Sequence, residues 1–109
     1  DYKKIMRCRG SILTPYTNAK REYEYNTPHV DHFMDSDFIS LIYYVNDSDG
    51  DTFLFEENHS DGHASSVTVK DRVKHKENSA LIFDGKQYHA SSNPIESNYR
   101  ATISMTFEL

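Results

Sequence analysis

The chain has 109 residues, a formal net charge of −5 and one cysteine. That length supports a single small domain over residues 1–109 with a modest core, and the acidic balance without any basic run makes nucleic acid an unlikely partner. Cys8 alone cannot form an internal disulfide, which suits a reducing, cytoplasmic setting, and no apolar run approaches the roughly 20 residues that span a bilayer, so no membrane partner is expected.

The chain opens on Asp1-Tyr2-Lys3-Lys4 without an initiator Met or a charged-then-apolar leader. It reads as the C-terminal part of something longer. Ile5 to Leu13 carries strand formers and stops at Thr14-Pro15, where proline ends or bends a strand. Cys8 within it is expected to be a small buried hydrophobe. Residues 16–21 read as a connection. Glu22 to Tyr25 alternates Glu and Tyr with period two, which predicts a strand leading into Pro28-His29-Val30-Asp31-His32. Asp35-Ser36-Asp37 is a turn.

Phe38 to Val45 is almost continuously apolar and aromatic, which predicts a central strand buried on both faces. Asn46 to Asp51 (NDSDGD) predicts a hairpin. Thr52 to Glu56 alternates again, with Phe53 and Phe55 on one face. A polar loop follows from Glu57 to Ser65, then a strand over Ser66 to Lys70 and a charged turn over Lys74 to Ser79. Ala80 to Phe83 and Tyr88 to Ser91 are short strands separated by Asp84-Gly85. Asn93-Pro94 opens a loop that ends at Ser97-Asn98. Tyr99 to Leu109 is the longest clean alternation. About eight short strands and no convincing amphipathic helix predict an all-β barrel, sandwich or jelly roll.

The last strand divides its residues cleanly. Arg100, Thr102, Ser104, Thr106 and Glu108 share one face; Ala101, Ile103, Met105, Phe107 and Leu109 share the other. Either the polar face meets water, or it lines an internal pocket while the apolar face packs on another layer. Alternation does not choose.

His29-Val30-Asp31 sets an imidazole and a carboxylate on one side of an extended segment. With six His in the chain, one such pair arises by composition alone, and His59-Ser60-Asp61, followed by His63, is a second copy. That copy lies in a polar loop and reads as solvated surface. The first precedes the most apolar strand. Two His and one carboxylate form a facial set that holds Fe(II) and leaves positions open, and His89 is the distant His a neighbouring strand would deliver. Arg100 follows closely downstream, and a fixed guanidinium clamps a carboxylate bidentately. Thr102, Ser104 and Tyr44 could complete such a pocket. Taken singly, His89 reads as an exposed or hydrogen-bonded strand His, Arg100 as a surface ion pair and His32 as an exposed His.

Taken together, His29-Val30-Asp31, Leu41-Ile42-Tyr43-Tyr44-Val45-Asn46-Asp47, Gly50-Asp51-Thr52-Phe53-Leu54-Phe55, Ser79-Ala80-Leu81-Ile82-Phe83-Asp84, His89 and Arg100 resemble the iron(II)- and 2-oxoglutarate-dependent dioxygenases, in their prolyl-4-hydroxylase-like branch. The resemblance covers nearly the whole chain from Tyr25 onward. It implies a double-stranded β-helix, or jelly roll, here without the helices that usually precede it. It implies that His29, Asp31 and His89 bind Fe(II) and are the catalytic set. It implies that Arg100 and Tyr44 hold the far carboxylate of 2-oxoglutarate, with Thr102 or Ser104 helping, and that Tyr16 corresponds to another cosubstrate-contacting Tyr of the family. The implied activity is hydroxylation of a peptide or small molecule, with O2 consumed, succinate and CO2 released, and ascorbate as a reductant. Asn98 stands where the family often has Gly. The rival readings are a cupin-like metal barrel acting without 2-oxoglutarate, which would need His29, Asp31 and His89 but not Arg100, and a non-catalytic binding barrel.

Overall fold

The structure, a computed structural model, describes residues 1–15 and 24–109. Tyr16, the connection over 16–21 and the start of the strand expected from Glu22 lie outside the described residues. Seven strands form among those described: β1 (Lys4–Leu13), β2 (Phe38–Tyr44), β3 (Thr52–Asn58), β4 (Val69–Val73), β5 (Ser79–Asp84), β6 (Gln87–Ser91) and β7 (Arg100–Glu108), with one short 3-10 turn at His59–Asp61. Two sheets result, ordered β1-β7-β2-β5 and β4-β3-β6, and every pairing is antiparallel. The fold is therefore all-β with two antiparallel sheets, compatible with a β-sandwich. No helix among the described residues is long and apolar enough to cross a membrane.

The hydrophobic cluster sits on one face of the three-stranded sheet. Phe53 and Phe55 project from β3, as their spacing requires, and meet Tyr88 and Ala90 of β6 and Val30. Tyr25, Ala64 and Val67 cover them. Phe53 and Phe55 are almost free of solvent, and each such burial contributes about 1.5–3 kcal/mol. Thr52, Leu54, His89 and Ser91 take the opposite face by alternation, toward the four-stranded sheet.

Strand β7 resolves the ambiguity of its two faces. Arg100, Thr102 and Thr106 are buried at 4%, 5% and 2% exposure, whereas Ile103 is 40% exposed. The polar face points inward. The outer face of the same sheet carries the exposed Ile12, Ile82 and Ile103, which pair with Ala101, Leu41 and Tyr43.

Several sequence expectations are corrected. Cys8 is exposed because it pairs with Met105 on that outer face. Strand β2 is not buried on both sides: Phe38, Ser40 and Tyr44 are buried inward, and Ile39, Leu41 and Tyr43 are half-buried outward. Glu24 and Tyr25 form a bend rather than a strand. The strand expected at Ser66 begins instead at Val69. Asn46 to Asp51 is no hairpin, because β2 and β3 belong to different sheets. It is a crossover whose side chains bind elsewhere. Asp49 accepts from the backbone N–H groups of Ile95, Glu96 and Ser97 at 2.8–3.2 Å. Burial alone would raise its carboxyl pKa, but those N–H groups outweigh it and hold the pKa below its usual value. Asn46 accepts from Ala101 N–H at 2.9 Å and donates to Tyr99 C=O at 3.0 Å. It thereby fixes the backbone on both sides of Arg100.

Candidate metal and anion site

His29 reaches its place without belonging to a strand. It forms a single bridge on the free edge of β6, exchanging two backbone bonds with His89: His29 N–H to His89 C=O at 2.9 Å and the reverse at 3.0 Å. Asn26 N–H adds a bond to Ser91 C=O at 2.8 Å. Val30 then turns into the hydrophobic cluster, and alternation returns Asp31 to the side of His29.

The three side chains converge. Asp31 Oδ1 lies 3.5 Å from His29 Nε2 and 3.6 Å from His89 Nε2. All three ligand atoms lie within 4.8 Å of one another, and this is the only such group among the described residues. Both imidazoles are fixed from behind. His29 Nδ1 donates to Thr27 C=O at 3.0 Å and His89 Nδ1 to Gln87 C=O at 3.1 Å. A carbonyl can only accept, so each Nδ1 carries the proton and each Nε2 presents a lone pair toward Asp31. Two lone pairs and a carboxylate oxygen facing one another form a place where a cation could sit. A proton serves in part: the Asp31 contact raises the His29 pKa above its usual value, against the effect of burial. For Asp31, burial favours the neutral acid, but the facing imidazoles, wherever one carries a proton on Nε2, outweigh burial and hold the carboxyl pKa well below its usual value. A divalent ion satisfies all three groups at once, and backbone-anchored Nδ1–H groups are the support such ligands need. The donor set fits Fe(II) or Zn(II). Ser40, 2% exposed, donates to Asp31 Oδ2 at 3.1 Å, and Arg7 pairs with Oδ1 at 3.3 Å.

The same cavity, about 210 Å³, is lined by His29, Asp31, His89, Thr52, Arg100 and both Thr102 and Ser104. It is smaller than the roughly 300–1,000 Å³ typical of drug-sized ligands. Arg100 is 4% exposed. Its Nε donates to Gly50 C=O at 2.9 Å and its Nη2 to Thr52 Oγ1 at 2.8 Å. The nearby Asp51 is taken by Arg72 at 2.8 Å, and no carboxylate lies within ion-pairing distance of Arg100 among the described residues. Burial lowers the Arg100 pKa, yet a guanidinium keeps its proton. The reading of Arg100 as a surface ion pair is thus corrected. Gly50 makes the arrangement possible: a Cβ there would lie 2.5 Å from Ser92 C=O and 3.0 Å from Arg100 Cδ.

Tyr44 is 1% exposed and stands behind this wall. Its hydroxyl donates to Thr52 Oγ1 at 2.8 Å, so it reaches the cavity through Thr52. With two donors already on its oxygen, Thr52 has its own hydrogen left to offer the cavity. Sequence reasoning did not single out Thr52, because nothing about a threonine in an alternating strand marks it as a hub. His32 is half-buried, hydrogen-bonded to Thr106 at 2.9 Å and set edge-on to Phe38, which corrects its reading as an exposed residue. His59 occupies the 3-10 turn with Asp61 and His63 exposed, and among the described residues the second copy belongs to no convergent ligand group. Arg7 and Arg9 also escaped notice. One extra residue in β1 between Ile5 and Arg7 shifts the register, which turns Arg7, Arg9 and Ser11 inward; a bulge of this kind leaves no mark in composition.

Comparison with known proteins finds no family model and no curated protein that matches the chain.

Proposed function

We propose that the chain is a non-haem Fe(II)- and 2-oxoglutarate-dependent oxygenase, hydroxylating a peptide or small-molecule substrate. The observation that carries this reading is the pairing of two features in one small cavity: a convergent His-Asp-His set and a buried guanidinium with no carboxylate of its own. A buried cation held by neutral groups calls for an anion. A metal and a guanidinium lining one cavity suit a dicarboxylate that touches both.

Strand pairing supports a jelly roll. Counting the segment around His29 as an eighth strand on β6, consecutive pairs run first with last, second with seventh, third with sixth and fourth with fifth. That is a long antiparallel ribbon rolled on itself.

In this reading His29 and His89 hold the metal through Nε2 and Asp31 through Oδ1. Fe(II), when bound, supplies the O2 chemistry that no side chain can. Arg100, pinned by Gly50 and Thr52, grips the far carboxylate and fixes the length of the diacid against the metal. Tyr44 holds Thr52 in place, and Thr52, Thr102 and Ser104 offer hydroxyls along the wall. The inward polar face of β7 keeps the charged ligand out of bulk water, where its pairing with Arg100 is strongest. The test is turnover of 2-oxoglutarate by protein supplied with Fe(II), O2 and ascorbate. Succinate and CO2 formed in equal amounts, and abolished by omitting iron, are the expected result. Iron binding without any loss of 2-oxoglutarate would instead favour a metal barrel of another activity.

A further inference from the structure

The geometry points to Arg9 as a second carboxylate-binding residue, one that takes the near, metal-side carboxylate of the cavity's ligand. The inference rests on the reading of the cavity as a 2-oxo diacid site and extends it to the end opposite Arg100.

Arg9 lies on β1 opposite Ser104, four residues along β7 from the Arg100 pairing. Its side chain lines the same cavity as His29 and Asp31. Arg7, its neighbour on the same face, is committed to Asp31 at 3.3 Å. Among the described residues no hydrogen bond or ion pair engages Arg9. The bulge between Ile5 and Arg7 brings it inward; without that extra residue it would point to the outer face with Cys8's neighbours.

Charge supports the assignment. The cavity wall carries two arginines and one carboxylate, Asp31, in a protein whose net charge is −5. Asp31 faces the two histidines, so neither arginine is neutralised by the wall. A divalent ion would make the excess larger. A ligand with a carboxylate at each end answers both arginines and the metal. At about 210 Å³ the cavity has room for one small molecule, so the anion at the open end belongs to the same ligand as the one at the closed end. Arg9 is exposed, so its contribution is smaller than that of Arg100.

The test uses Ni(II)-loaded protein and two probes, 2-oxoglutarate and 2-oxopentanoate, titrated calorimetrically. The second probe keeps the 2-oxo acid end and lacks the far carboxylate. Arg9→Gln should weaken both probes by the same factor, about five- to tenfold for a charged hydrogen bond discounted for exposure. Arg9→Lys should recover part of the loss. Arg100→Ala should weaken 2-oxoglutarate alone. Nickel affinity of Arg9→Gln, measured first, should be unchanged or tighter, because Arg9 opposes the cation. Unchanged affinity for 2-oxopentanoate in Arg9→Gln overturns the assignment while leaving the Arg100 clamp intact, and so does loss of nickel binding in that variant. If neither arginine affects 2-oxoglutarate, the dicarboxylate reading of the cavity itself fails.

Discussion

Replacing Arg100 by Met separates a ligand clamp from a structural pin. In the ligand-free protein two terms oppose each other. The guanidinium is 4% exposed without a carboxylate partner, and burying such a charge costs several kcal/mol. Its bonds to Gly50 C=O and Thr52 Oγ1 return about 1.5–3 kcal/mol each. Met keeps the apolar stem and removes both terms, so stability should change by no more than about 1 kcal/mol. Binding has no such cancellation. Stranding a carboxylate without its partner costs about 2–5 kcal/mol, or roughly 30-fold to several-thousand-fold in affinity. Thermal melts of nickel-loaded protein read both effects. At 100 times its dissociation constant, 2-oxoglutarate should stabilise the parent by about 2.7 kcal/mol, on the order of 10–20 °C for a domain of this size. Arg100→Met should melt near the parent without ligand and gain at most about a third of the parent's shift with it. A variant destabilised by about 3 kcal/mol or more that keeps the full ligand shift would refute the reasoning and make Arg100 a pin for β7.

Gly50→Ala should act on the same clamp from the other side: the new methyl meets Ser92 C=O and Arg100 Cδ, so 2-oxoglutarate affinity should fall at least tenfold with metal binding retained, as titration would read. Replacing His59 and Asp61 together by Ala should leave metal stoichiometry at the parent value, since neither belongs to the convergent group; loss of metal there would shift the site. His75 is 2% exposed, packs tilted against Tyr44 with ring centroids 4.4 Å apart and donates to Asn46; burial, then the charge of Arg100, lowers its pKa to about 4. The unfolded chain therefore binds the proton first, and stability should fall as pH drops from about 6.5 to 4, by about 2–3 kcal/mol. Denaturant unfolding of parent and His75→Gln across that window should show the variant losing less by that amount; parallel curves would contradict it.

The convergence of His29, Asp31 and His89 was legible in the sequence, whereas the strand order that gathers them was not. His29, Asp31, His89 and Arg100 could be picked out because their chemistry is rare and their order along the chain is specific. The faces of β7 could not, because alternation gives the same pattern whether the polar side meets water or a cavity. The crossover at Asn46 to Asp51 reads as a hairpin because Asn, Asp and Gly serve turns and backbone capping equally well; only the sheet order distinguishes them. Thr52, Arg7 and Arg9 were missed for a related reason. A single bulge in β1 and a shared acceptor between Tyr44 and Arg100 are tertiary facts, and no local residue pattern encodes them.

The central claim is that one cavity holds a metal at His29, Asp31 and His89 and a dicarboxylate between that metal and Arg100. The most direct measurement is calorimetric titration of 2-oxoglutarate into metal-free parent, nickel-loaded parent and His89→Ala exposed to the same nickel. Binding should be strong in the loaded parent, far weaker without metal, and as weak in His89→Ala, which should retain little nickel. Equal binding of 2-oxoglutarate and of nickel in His89→Ala and in the parent would contradict the account.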